Sequence, residues 1–135
     1  MTVTEAVQAA LVDPSTGITG LVPADRIRVP GDWQNLKRPY VIHQPVSEAE
    51  PLHTYGAGRS PIRDWTFYQV SVFSDDYATG EELADPIIAA LDGYHSAVLI
   101  LFHGGPGYVG FEADTRVHHF AHDFRILAAL PEVSP

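Results

Sequence analysis

The chain contains no cysteine, which removes disulfides, thiolate metal sites and thiol redox chemistry together. Its stability must come from packing or from partner subunits. Nowhere does an apolar run approach the roughly 18 to 20 residues that a membrane helix needs. The opening Met1-Thr2-Val3-Thr4-Glu5 lacks the basic and apolar regions of a secretory signal, so a protein made and kept in a cytoplasm is expected. Basic residues are scarce, eight Lys and Arg against seventeen Asp and Glu, for a formal charge of -9. A protein built to grip nucleic-acid phosphates carries the opposite balance. Internal repeats and low-complexity segments are missing as well.

What is present is the composition of a soluble globular protein, 45% hydrophobic and 19% charged over 135 residues. That length sustains one core, so a single domain over 1–135 is expected. Its charges are unevenly spread. Arg26, Arg28, Lys37, Arg38, Arg59 and Arg63 fall in the first half, whereas residues 64–115 hold no Lys or Arg and carry Asp75, Asp76, Glu81, Glu82, Asp85 and Asp92. One reading is two differently solvated faces. The sharper one is a subunit with a basic edge and an acidic edge that meets its own copies head to tail. It nominates Arg26, Arg28, Lys37 and Arg38 against Asp75, Asp76, Glu81, Glu82 and Asp85 of a neighbour.

Local patterns predict alternating helices and strands. Thr2 stands three residues before Glu5 as a capping box, and Ala6, Val7, Ala9, Ala10 and Leu11 follow at helical spacing to about Val12. Asp13-Pro14-Ser15-Thr16-Gly17 breaks that helix, and residues 18–22 hold a second brief turn. Residues 26–29 predict a short strand, and Tyr40-Val41-Ile42 a buried one. Residues 44–61 are the least structured part, a long loop with Pro45, Pro51, Gly56, Gly58 and Pro61. A loop of that length inside a compact domain is functional, ordered by a partner or disordered. Its Glu48, Glu50, His53, Tyr55 and Arg59 are candidate partner contacts. Residues 63–74 give the strongest strand, with Tyr68, Val70 and Val72 on one face and Trp65, Phe67 and Phe73 on the other. Aromatic surface on both faces predicts cover on both, by a helix on one side and by a loop or another subunit on the other.

The covering helix is expected at residues 81–91, where Leu83, Ile87, Ala90 and Leu91 share a face and Gly93 ends it. Pro86 either kinks this helix or opens its regular part behind an Asp85 cap. Residues 97–103 and 108–112 flank Gly104-Gly105-Pro106-Gly107 and predict a hairpin. Beyond Val117 both periods fit, but the polar His119, Asp123 and Arg125 between apolar neighbours favour a strand. Residues 130–135 form a tail.

Reactive constellations are absent from these patterns. His118, His119 and His122 form the densest histidine cluster, but on a strand positions 118 and 122 are roughly 13 Å apart with 119 on the other face, too spread for one ion. On a helix the zinc-protease pattern would still need Glu where His119 stands. His103-Gly104-Gly105-Pro106-Gly107 resembles an esterase oxyanion loop without any Gly-x-Ser-x-Gly elbow. Gly56-x-Gly58 lacks a third glycine and a P-loop lysine. Glu81 and Glu82, adjacent on a helix, do not converge on one substrate. No catalytic, cofactor or metal residues are assigned, and the protein is expected not to be an enzyme.

In order, the features resemble the phage tail-completion, or head-to-tail joining, proteins. The resemblance rests on an N-terminal helix, Arg38-Pro39-Tyr40-Val41-Ile42, a polar loop, Arg63-Asp64-Trp65-Thr66-Phe67-Tyr68-Gln69-Val70-Ser71-Val72-Phe73-Ser74, a helix at 81–91, and Phe120-Ala121-His122-Asp123-Phe124-Arg125-Ile126. It covers roughly residues 3–128 and departs from the family pattern at Pro86 and in the long loop. It implies an α+β fold, a mostly antiparallel sheet of about four or five strands with two main helices on one face. It also implies a homo-oligomer, a hexameric ring that caps the tail tube protein and joins it to the head-side connector or stopper. Such a tail terminator is assembled in the host cytoplasm, sits at the head-proximal end of the virion tail, lets DNA pass without specific binding and meets no membrane. The alternatives are a tail-tube or neck subunit and, from another class, a small histidine-using metal enzyme or ligand-binding domain.

Overall fold

A computed structural model describes residues 3–31, 37–46, 66–95, 99–104 and 107–128. The first helix, α1 (Val3–Val12), buries Ala6, Val7 and Leu11; Thr2, and with it the expected capping box, lies outside the described residues. Asp13 ends α1 by accepting the Ser15 N–H at 2.9 Å, and Gly17 turns the chain at a φ of 82° that disfavours side chains. Brief 3-10 turns then lead into β1 (Ile27–Arg28), which pairs parallel to β2 (Tyr40–Val46).

β2 extends four residues beyond the expected Tyr40-Val41-Ile42, so Gln44, Pro45 and Val46 belong to the sheet and not to the loop. Pro45, opposite Tyr68, is tolerated because β1 reaches only Val41 and Ile42 and leaves this part of β2 at the edge. The rest of the loop, residues 47–61, lies outside the described residues. β3 (Thr66–Ser74) sends Tyr68, Val70 and Val72 into the core and leaves Phe67 and Phe73 half-buried on the opposite face, as its alternation predicts.

Helix α2 (Tyr77–Leu91) begins four residues before the expected start, with Asp76 as its N-cap. Its early start has a tertiary cause: Gly80 is buried against the ring of Phe120, and Gly80, Leu83, Ile87 and Leu91 form one buried face. That packing offsets the hydrogen bond lost at Pro86, which lies inside the helix, so the Asp85 cap is not used. At the other end Gly93, at φ 80°, donates to the Leu101 carbonyl at 2.8 Å, tying the helix terminus to the next strand.

The expected hairpin around Gly104-Gly105-Pro106-Gly107 does not form. Both β4 (Leu99–His103) and β5 (Tyr108–Glu112) pair instead with β6 (Val117–Ala128), lying end to end along its outer side. A 12-residue strand is long enough to hold both. β4 ends opposite Phe124 and β5 begins opposite Ala121, so between them β6 advances only through His122 and Asp123, and the two strands run in the same direction across a bulge and not a reversal. Asp123 pins that bulge: its backbone carbonyl accepts from Gly104 at 3.0 Å, one carboxylate oxygen from Gly107 at 3.1 Å and the other from Gln69 at 3.2 Å. The true hairpin is β5–β6, closed by residues 113–116 with Arg116 at φ 59°.

The fold is α+β, with sheet order β1-β2-β3-β6 followed by the β4 and β5 pair, antiparallel except at β1. α1 packs on β1 and β2, and α2 on β3, β6 and β4. Both helices lie on the face that bears Val41, Tyr68, Val70, Val72, Leu101, Phe120, Phe124 and Ile126. Among the described residues no helix is long and apolar enough to cross a membrane.

Candidate assembly surface

The histidines are spread over separate structural duties. His43 is fully buried, 2.6 Å from the Tyr68 hydroxyl through Nδ1 and 2.7 Å from Gln8 Oε1 through Nε2. Gln8 Nε2 donates to the Ile27 carbonyl at 2.9 Å, which leaves Gln8 Oε1 to accept from the histidine. His43 is therefore neutral with its proton on Nε2, and Nδ1 accepts from Tyr68. Burial pushes its pKa down to about 4 and drives that of Tyr68 up. This chain of polar groups ties α1, β1, β2 and β3 together, with His43 and Tyr68 fully buried and Gln8 half-buried at its outer end, so it is a structural network.

His118 and His122 share one face of β6 and His119 the other, with four strand positions of advance between the first pair. Burial lowers the pKa values of His119 and His122, and the Nε2 atom of each is buried with no partner among the described residues. No three His, Asp or Glu side chains come together in metal-binding geometry among the described residues.

The charged residues expected at a subunit contact divide into groups. Arg38 and Asp75 meet each other within one chain, Nε to Oδ1 at 2.8 Å, so this pair is internally matched. Asp76 stands at the N-cap position of α2, where its carboxylate accepts from the Thr79 hydroxyl at 2.8 Å. Arg26 and Arg28 stand at the β1 edge, where Arg28 Nε donates to the Asp25 carbonyl at 2.9 Å, and Lys37 is exposed before β2. Glu81, Glu82 and Asp85 line the outward side of α2. The loop candidates Glu48, Glu50, His53, Tyr55 and Arg59 lie outside the described residues.

Two apolar surfaces remain, the first on the β3 face where the sequence leads one to expect cover by a loop or another subunit, the second passed over by sequence reasoning. One is the sheet face opposite the helices, which no described helix covers. There a ladder of rings crosses four strands: Tyr40 stacks on Phe73 with centroids 5.0 Å apart, Phe73 on His119 at 4.3 Å, and Tyr108 meets His119 edge-on at 5.3 Å. A groove of about 510 Å³ runs along it, lined by residues that include Ile42, Gln69, Ser71 and Val117. The other surface is the outer edge formed by β4 and β5, where Phe102, Tyr108, Val109 and Phe111 are exposed. The signal for that edge was in the sequence: Tyr108-Val109-Gly110-Phe111 is apolar on both alternating faces.

Neither a family model nor a curated protein matches the sequence. Among solved structures the chain is similar in fold to one from the virion of a native gene transfer agent particle, with a TM-score of 0.70 and 21% identity over 96% of each chain. At that identity the likeness is one of fold.

Proposed function

We propose that this protein is a structural subunit of a bacteriophage-like particle, a tail terminator or tail-completion protein. Copies assemble into a hexameric ring that caps the tail tube and joins it to the head-side connector. The observation that carries this reading is the fold likeness to a virion chain of a gene transfer agent over 96% of both chains. A partial match would speak only for a shared motif; one that spans both chains end to end fits a protein whose whole body does the same kind of work. Two features of the chain support it. Among the described residues no three His, Asp or Glu side chains converge, and the exposed large hydrophobic residues concentrate along one strand edge, as in subunits that complete themselves against neighbours. The net charge of -9 also suits a ring through which DNA passes, because an acidic lumen repels the phosphate backbone and keeps it from adhering.

Electron microscopy of the purified protein, alone and mixed with tail tubes, tests the reading. The expected result is a single ring at one end of each tube. Rings that stack on one another would instead identify a tube subunit. A protein that remains monomeric in both conditions would overturn the proposal.

A further inference from the structure

The two edges of the sheet are unlike and complementary. On the β4–β5 side, Phe102, Tyr108, Val109 and Phe111 are 46%, 54%, 60% and 52% exposed, and Tyr77 at the start of α2 is 47% exposed. Tyr77 and Phe111 both pack on the His118 ring, with centroids 5.6 Å and 4.7 Å away, so the patch is continuous from strand to helix. Phe102 and Tyr108, paired with Arg125 and Ala121, lie on the other face, so the edge offers apolar side chains on both sides of the strand, roughly 500 Å² in all and more than half of what one partner buries in a standard interface. β4 and β5 pair only with β6 among the described residues, and neither contains the lysine or proline that commonly guards an open strand edge.

At the opposite edge, α1 and β1 enclose a groove of about 570 Å³ lined by Thr4, Ala24, Ile27, Arg28 and Val29 among others. Glu112 and Asp114 flank the patch, and Glu81 lies one helical turn beyond Tyr77; Arg26 and Arg28 flank the groove. The groove also has its own carboxylates, Glu5 and Asp25, and the patch has Arg116 nearby. Apolar shape therefore leads the match and charge refines it.

We propose that the β4–β5 edge of one copy seats in the α1–β1 groove of the next, a head-to-tail contact that rests on the ring reading above and names its interface. The occupant is a second copy of this chain. Because two different surfaces of one chain meet, the contact repeats until rotation closes it. It reassigns the basic edge to a partner surface led by β5 and no longer by the acidic segment as a whole.

The cysteine-free chain gives a clean test. Arg28→Cys and Val109→Cys, singly and together in the full-length protein, are treated with a short bismaleimide and resolved on a denaturing gel. The double variant is expected to give a ladder of multimers, each single variant a monomer, and a mixture of the two singles a dimer only. Dimers from Val109→Cys alone would reveal a two-fold edge-to-edge contact and overturn the proposal. Rings visible in native measurements without cross-linking of any variant would place the interface elsewhere; the inference would fail and the ring reading would stand. Monomers only, alone and beside tail tubes, would overturn both. Val109→Lys, at an exposed position, adds a second readout: its thermal unfolding as a monomer should be unchanged while assembly falls at least tenfold, and unaltered assembly would also overturn the proposal.

Discussion

The buried His43 makes stability depend on pH in a way that can be calculated. Its folded pKa is about 4 against an ordinary 6.5, so the native state binds fewer protons than the unfolded chain between those values. The sign follows: the contribution is full above pH 6.5 and is lost as pH falls toward 4, because unfolding then gains a proton that folding excludes. A difference of about 2.5 units at 1.36 kcal/mol each gives a loss of about 3 kcal/mol by pH 4. That is a large share of the roughly 5 to 15 kcal/mol that holds a typical domain folded. The comparison is His43→Asn, which cannot titrate and reaches only one of the two partners, Tyr68 or Gln8. At pH 8 it should be less stable by about 1 to 3 kcal/mol, the cost of a buried group left without its hydrogen bond. Urea unfolding followed by circular dichroism at fixed protein concentration, from pH 8 to pH 4, should show the two stability curves converging as pH falls. His119 and His122 shift in the same direction but are common to both proteins and cancel in the difference. Parallel curves would mean that His43 titrates normally, and the buried-network argument would be wrong.

Three further outcomes follow from particular contacts. Gly80→Ala would place a Cβ 2.2 Å from Phe120 Cε1, and because that ring is itself buried, overpacking of about 1 to 3 kcal/mol should exceed the helix-propensity gain of about 1 kcal/mol; a raised melting temperature would contradict this. Asp123→Ala leaves the Gly107 amide without its acceptor and should cost about 1 to 2 kcal/mol, with hydrogen exchange at Gly107 accelerating far more than at Leu101; equal protection at both would show that the carboxylate does not hold the bulge. If apolar contact leads assembly between copies that each carry -9, added salt should strengthen association by screening their repulsion, since the Debye length falls from about 10 Å at 0.1 M to about 3 Å at 1 M. Sedimentation across that range checks it, and association weakened by salt would show charge pairing in the lead.

The strands were legible wherever burial differs between two faces. Tyr68, Val70 and Val72 alternate with less buried neighbours in β3, and the polar His119, Asp123 and Arg125 disclose the same period in β6. The misreadings share a different cause. Gly104-Gly105-Pro106-Gly107 has the local chemistry of a reversal, yet β6 is long enough to pair both flanking strands, which run on in the same direction. Tyr77-Ala78-Thr79-Gly80 contains weak helix formers, yet a glycine is what lets Phe120 close on the helix. In both places a partner distant in sequence decided the outcome against local propensity.

The assembly surface was harder to read for a related reason. Charge is visible residue by residue, so the unevenly spread Arg and Asp/Glu drew attention first; Arg38 and Asp75 then proved to satisfy each other inside one chain. Apolar surface is visible only as a property of faces. The sequence shows that β5 is apolar on both faces, but a central strand has the same pattern, and only pairing tells them apart. Had β4 and β5 formed the expected hairpin, one of them would have been shielded by the other. Because they lie end to end along β6, both are edge strands among the described residues, and Tyr108, Val109 and Phe111 lose the cover a further strand would give. The same rearrangement that defeats the local turn signal therefore exposes the edge proposed above as the contact between copies, and Asp123, which pins the bulge, would act on that contact without touching it.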